Sequence, residues 1–257
     1  MAIILKTAKE IEILREGGKR HAFILSEIAK AVRPGVTTRA LDELAVRLIA
    51  EGGDTAAFLN YKPYGAKRPY PASLCVSIND EVVHGIPNET EKVLREGDIV
   101  SLDLGLVHRG MITDSAITVP VGKVDRESKA LITDTKKALM LGVKAARGGG
   151  HVGDIGSAVE GYAGPLGYGI IRELAGHGVG KAVHEDPYVP NYGEAGTGEE
   201  LVPGMVIAIE PMLNLGTERI KLDKDGYTYR SADGSKSAHF EHTVLITEKG
   251  AEILTKE

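Results

Sequence analysis

Between Gly97 and Val119 the chain reads GDIVSLDLGLVHRGMITDSAITV, two alternating apolar runs joined by a short His-Arg-Gly turn. Alternation has the period of a β-strand, so the stretch predicts an antiparallel hairpin. Val100, Leu102, Leu104 and Leu106 share one face of the first run, which turns Asp103 to the other face with Ile99, Ser101 and Gly105. A turn centred on His108-Arg109 would set Asp114 directly across from Asp103. Two like charges opposed on a sheet repel unless something neutralises them, and a bound cation is the obvious neutraliser. Taken singly, either aspartate is as well explained by a frayed strand end in water or by a proton taken up on burial.

The segments around this hairpin read as alternating helical and extended stretches. Thr7 with Glu10 forms a capping box ahead of Ile11, Leu14, Phe23, Ile24 and Ile28, which predicts a long helix to Arg33, stopped by Pro34-Gly35. Thr37 or Thr38 caps a second helix, with Leu41, Leu44, Ala45, Leu48 and Ile49 at helical spacing and Gly52-Gly53 at its end. A loop rich in Tyr, Pro and Gly from Ala56 to Ala72 leads to a strand over Leu74–Ile78 and then to Val82-Val83-His84-Gly85-Ile86-Pro87. Beyond the hairpin, Lys129–Arg147 predicts a helix ended by three glycines, and Asp154 is expected to cap another ending near Gly164-Pro165. Met205–Leu213 and Phe240–Thr247 predict two final strands.

At 257 residues and 42% hydrophobic content the chain can bury one large core or two fused ones. A net charge of -5 with scattered Lys and Arg excludes a nucleic-acid or anionic-membrane footprint. The opening Met-Ala-Ile-Ile-Leu passes at once into Lys-Thr-Ala-Lys-Glu, far short of a signal peptide or membrane span, so a cytoplasmic protein is expected. The single cysteine, Cys75, fits a reducing compartment. In Leu-Cys-Val-Ser-Ile it reads as a small hydrophobe rather than a nucleophile.

Laid over each other, the two halves of the chain repeat. Ala31-Val32-Arg33-Pro34-Gly35 resembles Ala145-Ala146-Arg147-Gly148-Gly149, and Val83-His84-x-x-Pro87 recurs as Val183-His184-x-x-Pro187. Gly97-x-Ile99-Val100-x-Leu102-Asp103 recurs as Gly204-x-Val206-Ile207-x-Ile209-Glu210, and Asp114 leads into an apolar run as Glu241 does. Four matches in one order predict an α+β chain of two pseudo-symmetric halves, roughly 1–124 and 125–257, within a single catalytic domain. Asp103, Asp114, Glu210 and Glu241 then meet at a pseudo-two-fold axis with His177 nearby. Two divalent cations balance four carboxylates, whereas one leaves a buried residual charge. Oxygen-rich ligation with one imidazole favours Mn, Fe or Co over a structural zinc.

Asp103 and Asp114, Gly176-His177-Gly178-Val179-Gly180, Val183-His184-Glu185-Asp186-Pro187, Ala208-Ile209-Glu210-Pro211 and Glu241-His242-Thr243 together resemble the type I methionine aminopeptidases, over essentially the whole chain. That resemblance implies the pita-bread fold, a central antiparallel sheet flanked by helices, and a cytoplasmic enzyme removing initiator methionine from nascent chains whose second residue is small. It implies that Asp103 chelates one metal, that His177 and Glu210 serve the other, and that Asp114 and Glu241 bridge them. Glu210 becomes the general base, with His84 and His184 contacting substrate. Phe58, Tyr61, Tyr70 and Cys75 line the methionine pocket, and the position before His184, here Val183, contributes to it. A monomer and transient ribosome contact are expected.

The chain departs from the family pattern at Pro63–Arg68, which are extra loop residues, and at Val183, where a larger aromatic is frequent. It also lacks tryptophan, for which Tyr227 or Tyr229 would substitute. His21, His108, His151, His239 and His242 read as surface or packing residues. The alternatives are a proline-specific aminopeptidase or dipeptidase of the same fold, which usually carries an extra N-terminal domain, and a non-catalytic binding module, which should have lost ligands. The short Glu210–Glu241 interval argues against type II relatives.

Overall fold

The computed structural model describes residues 3–256. Met1 and Ala2, which open the stretch read above as too short for a signal peptide, lie outside the described residues, as does Glu257. Thr7 and Glu10 form their capping box, and α1 runs Ala8–Ala31. The helix stops short of Arg33 because Val32 is already extended and the residue before a proline avoids the helical region. Thr37 Oγ1 accepts from Ala40 N to start α2 (Thr38–Glu51), which ends at Gly52.

The long loop is met by β1 (Thr55–Ala56), followed by β2 (Leu74–Ile78) and β3 (Glu81–Val83). The hairpin is β4 (Ile99–His108) and β5 (Met111–Pro120), with β1 and β2 on the other edge of β4. Its turn lies one residue later than expected: His108 pairs with Met111, Gly105 with Asp114, and Asp103 with Ala116. The two aspartates are therefore diagonal neighbours rather than directly opposed. They still share a face, because the slip moves one strand by two residues against the other and two residues restore the side-chain direction.

In the second half α3 (Arg126–Ala145) is capped by Asp125, three residues earlier than expected. In α4 (Val152–Ala163) the cap position belongs to His151, and Asp154 sits in the first turn with Oδ2 accepting from His151 N. Next come β6 (Gly169–Ile170), β7 (Gly176–Gly178) and β8 (Glu185–Val189). The stretch predicted as one strand over Met205–Leu213 is two, β9 (Val206–Ile209) and β10 (Met212–Asn214). The excursion β11 (Ile220–Leu222) and β12 (Tyr229–Ser231) pairs with β3. The last predicted strand, Phe240–Thr247, begins two residues later as β14 (His242–Thr247), preceded by a short strand that the sequence did not predict, β13 (Ser237–His239), and followed by β15 (Gly250–Ile253). The largest second-half sheet runs β15-β14-β9-β7-β8, and β10 carries β13 and β6 in a separate one.

Each large sheet has one face covered by helices. Ile24, Leu25 and Ile28 of α1 and Leu41, Ala45 and Ile49 of α2 pack on Leu74, Val76, Val100, Leu102, Leu104 and Leu106. Leu139 and Val143 of α3 and Ile155 of α4 pack on Ile207, Ile209, Val244 and Ile246. Full burial of each Leu, Ile or Val among them stabilises the fold by roughly 1.5–3 kcal/mol. Burial under the helices leaves the opposite sheet faces, which carry Asp103 and Asp114, to form something else. Among the described residues no helix is long and apolar enough to cross a membrane.

His21 of α1 has no exposed surface, and its Nδ1 lies 3.0 Å from Thr113 Oγ1. Burial holds its pKa down at about 3 against 6.5 in solution. The unfolded chain therefore binds a proton below pH 6.5 that the folded chain refuses until about pH 3, so stability is complete above 6.5 and falls with pH below it. At about 1.4 kcal/mol per pH unit, lowering pH from 6.5 to 5 costs about 2 kcal/mol through this residue. Urea unfolding at those two pH values should show the loss in the wild type and a loss smaller by about that amount in His21→Gln. Equal pH dependence in the two proteins would refute it.

Candidate metal centre

The site begins with two strand breaks. His242 pairs with Ile209 in one sheet and His239 pairs with Met212 in another, in the same register. Glu210 and Glu241 therefore oppose each other where both chains cross between sheets. Pro211, which has no N–H to give to a ladder, marks the crossing. The first half is stitched on here: Glu241 N donates to Ala116 O (2.9 Å), Ser115 Oγ donates to Glu241 O (2.8 Å), and Thr243 Oγ1 accepts from Asp114 N and donates to Asp114 O. These bonds bring the aspartates of β4 and β5 to the glutamate pair.

His177 arrives on β7 between two glycines. A Cβ at Gly176 would collide with the carbonyl oxygen of Ala208, and one at Gly178 with that of Asp186, so the closeness of the flanking strands demands glycine on both sides. His177 Nδ1 donates to Gly178 O at 2.9 Å. Because a carbonyl only accepts, this fixes the tautomer and leaves Nε2 with its lone pair facing Glu210 Oε1 at 3.4 Å. The His184 ring lies 4.4 Å from that of His177, and its Nδ1 is 2.8 Å from Tyr61 OH. The loop before His184 is held by Glu185, whose Oε1 accepts from Lys181 N and Ala182 N while Oε2 pairs with the buried Lys6 ammonium at 2.5 Å. His84 follows β3 with φ of 59°, in the left-handed region, and its ring meets Tyr229 edge-on at 6.0 Å.

All of the sequence-derived site residues line one cavity of about 470 Å³: Phe58, Tyr61, Tyr70, Cys75, His84, Asp103, Asp114, His177, His184, Glu210 and Glu241. One end is apolar. Phe58, Tyr70, Cys75, Val183 and Tyr227 are buried together, with Tyr227 packed edge-on against Tyr70 at 5.2 Å. Gly105 belongs to this end, since a Cβ there would press on the Phe58 ring. The extra loop residues Pro63, Tyr64 and Ala66 line the cavity as well, and Tyr227 OH donates to Arg68 O at the loop's base. Leu174 and Met212 complete the wall; neither carries a sequence signal distinguishing it from core.

The four carboxylates face one another with little to neutralise them. Burial, followed by the neighbouring carboxylates, pushes Asp114 and Glu241 well above the usual range. Burial raises Asp103 to about 7 and Glu210 to about 8, and lowers His177 to about 3. Asp103 Oδ1, Asp114 Oδ1 and Glu241 Oε1 are buried without a hydrogen-bond partner. Ligand atoms of Asp114, His177 and Glu241 lie within 4.8 Å of one another. Unpartnered carboxylate oxygens beside an imidazole lone pair are what a divalent cation would satisfy, so the donor set fits a metal.

His239, read from the sequence as surface or packing, lies at this centre with 2% exposure, its Nε2 3.6 Å from Glu210 Oε2. The signal was available: His239 stands two residues before Glu241, on the same side of an alternating strand.

Residues 12–248 match the model of metallopeptidase family M24. Methionine aminopeptidase from Aquifex aeolicus is 47% identical over 258 residues, covering 100% of both chains, and methionine aminopeptidase 1 from Bacillus subtilis is 42% identical over 99% of both. The crystal structure of methionine aminopeptidase from Thermotoga maritima superposes with a TM-score of 0.94 at 43% identity, covering 100% of both chains. A prolidase from Pyrococcus furiosus reaches a TM-score of 0.77 at 25% identity, with 99% of this chain covering 66% of the prolidase. Antiparallel sheets flanked by helices are the pita-bread architecture common to these proteins.

Proposed function

The chain belongs to metallopeptidase family M24, and on that premise we propose that it is a metal-dependent aminopeptidase removing the initiator methionine from nascent proteins whose second residue is small. The observation that carries this reading is the single cavity lined both by a carboxylate and imidazole cluster and by a group of buried apolar side chains. Such a cavity accepts an apolar side chain end-on and presents the adjoining peptide bond to the cluster. The relatives' name supplies methionine as that side chain.

Asp103, Asp114, His177, Glu210 and Glu241 would hold two divalent cations of the Mn, Fe or Co kind. The support is the charge count, four buried carboxylates against one neutral imidazole whose lone pair faces them. When bound, the cations supply Lewis acidity toward the peptide carbonyl and lower the pKa of water. Glu210 takes the proton of the attacking water. His184, held at Nδ1 by Tyr61, offers Nε2 to the oxygen on which charge develops, and His84 contacts the scissile nitrogen and assists its departure as an amine. Phe58, Tyr61, Tyr70 and Cys75, with Val183 and Tyr227, hold the methionine side chain away from water.

We propose a single catalytic domain over 1–257 with halves roughly 1–124 and 125–257, the first placing two carboxylates on β4 and β5 and the second placing two at the breaks beside β9 and β14. The reading extends to a cytoplasmic monomer that meets chains leaving the ribosome, supported by the lone buried Cys75 and by a net charge that disfavours nucleic acid.

The experiment is release of free amino acid from Met-Ala-Ser and from an X-Pro tripeptide by enzyme stripped with chelator and then given Mn, Co or Fe. Methionine release that returns only with metal is expected. Cleavage of the X-Pro peptide alone would move the function to a proline peptidase, and cleavage of neither would revive a binding module.

A further inference from the structure

His239 is a buried imidazole to which the reaction described above gives no task. Its backbone is fixed independently of its ring: His239 N donates to Thr118 Oγ1 at 2.9 Å, and Thr118 Oγ1 donates to His239 O at 2.8 Å. Neither ring nitrogen has a hydrogen-bond partner. A buried polar group left unpaired is unfavourable, so a ring kept here needs an acceptor. The carboxylate oxygens within 4.0 Å of Nε2 are Glu210 Oε2 at 3.6 Å and Glu241 Oε2 at 4.0 Å, the nearer about 0.6 Å beyond hydrogen-bond length, with the Asp103 carboxyl farther off.

Glu210 thus lies between two imidazoles, with Oε1 toward His177 and Oε2 toward His239. The two rings differ in tautomer. His177 commits its proton to Gly178 O and can offer Glu210 only a lone pair. His239 has no such commitment, so its Nε2 can carry the N–H that a carboxylate accepts. We propose that His239 is a positioning residue, whose Nε2–H holds the outer oxygens of Glu210 and Glu241 and so aims their other oxygens at the metal site. The inference rests on the reading of Glu210 and Glu241 as ligands.

Metal-free wild type, His239→Leu and His239→Gln are titrated with Mn²⁺ by calorimetry, and kcat and KM for Met-Ala-Ser are measured at saturating Mn²⁺. Leucine fills the space without a donor, and the Mn²⁺ Kd is expected to rise about 10- to 100-fold. Its kcat should fall at least about tenfold with KM little changed, the pattern of a misaimed group rather than a lost binding contact. Glutamine restores an N–H at similar reach and should keep Kd and kcat within tenfold of wild type and better than leucine.

A leucine variant with wild-type Kd and kcat overturns the proposal. So does a glutamine variant as impaired as leucine, because the imidazole itself would then be what matters. If the leucine variant fails to fold, the glutamine variant decides, a loss beyond tenfold overturning the proposal and a smaller one supporting it. Wild-type protein that binds no Mn²⁺ brings down the ligand reading first, and is told apart from failure of this inference by that control.

Discussion

Asp114→Asn is expected to leave a folded protein that no longer releases methionine. The Asp114 backbone is anchored by Thr243, and side-chain Oδ1 is buried without a partner, while the carboxyl also meets the Ser115 backbone and the Asp103 carboxyl, contacts that an amide of the same shape can keep. What the group meets there is burial beside other carboxyls. Burial and the charges of Asp103 and Glu210 raise its pKa well above the usual value, which is the signature of a group held there against its own solvation. An amide of the same shape never ionises and leaves the packing intact. The metal-free variant should therefore melt at the same temperature as the wild type or higher, since a carboxyl whose pKa is raised by folding costs stability at neutral pH, where the unfolded chain ionises it freely.

With metal the order reverses. Mn²⁺ should raise the wild-type Tm far more than that of the variant, because a ligand stabilises only in proportion to its binding to the folded state. The kcat/KM should fall by at least about 10³-fold, about 4 kcal/mol of transition-state stabilisation. Thermal unfolding in chelator and in Mn²⁺, alongside turnover, checks both halves. A variant less stable in chelator would defeat the argument that the carboxylate serves binding at the fold's expense, and unchanged turnover would defeat its assignment as a bridging ligand.

His84→Ala should retain metal and lose turnover. Removing a group that transfers or orients a proton in the transition state costs about 10²- to 10⁴-fold in kcat, while the Mn²⁺ Kd should stay within about threefold. One confounding effect is specific to this position. His84 sits at φ of 59°, where alanine is strained by roughly 1–2 kcal/mol and asparagine is tolerated. His84→Asn therefore separates backbone strain from chemistry: its Tm should match the wild type while its kcat falls as far as that of the alanine variant. Loss of metal from either variant would reassign His84 as a ligand.

The carboxylate-bearing hairpin was legible because alternation determines side-chain direction even when the turn is misjudged. Centring the turn on His108-Arg109 missed the pairing by two residues, and a slip of two preserves which face Asp103 and Asp114 occupy. Gly-His-Gly was legible because only glycine suits a strand flanked so closely by other backbones. The division of the strand predicted over Met205–Leu213 was not, since Ala208-Ile209-Glu210-Pro211-Met212-Leu213 is nearly continuous apolar sequence and Pro211 alone hints that the ladder changes sheets there. His239 reads as a surface or packing residue because a lone histidine carries little information by itself. Its relation to Glu241 is visible only when the two are placed on one strand face.

The shared register of Glu210 and Glu241 also sets where this chain can change length. Pairing on both flanks, Ile209 with His242 and Met212 with His239, closes the ladder locally, so the two glutamates do not depend on the path of the residues between Thr217 and Ser231. Insertions or deletions there would remodel one wall of the cavity and leave the carboxylates facing each other. One residue added within 237–242 would instead turn Glu241 to the opposite side of its strand. The architecture thus divides into a segment open to drift and a segment closed to it, and substrate preference can diversify in the first while the second keeps the chemistry constant.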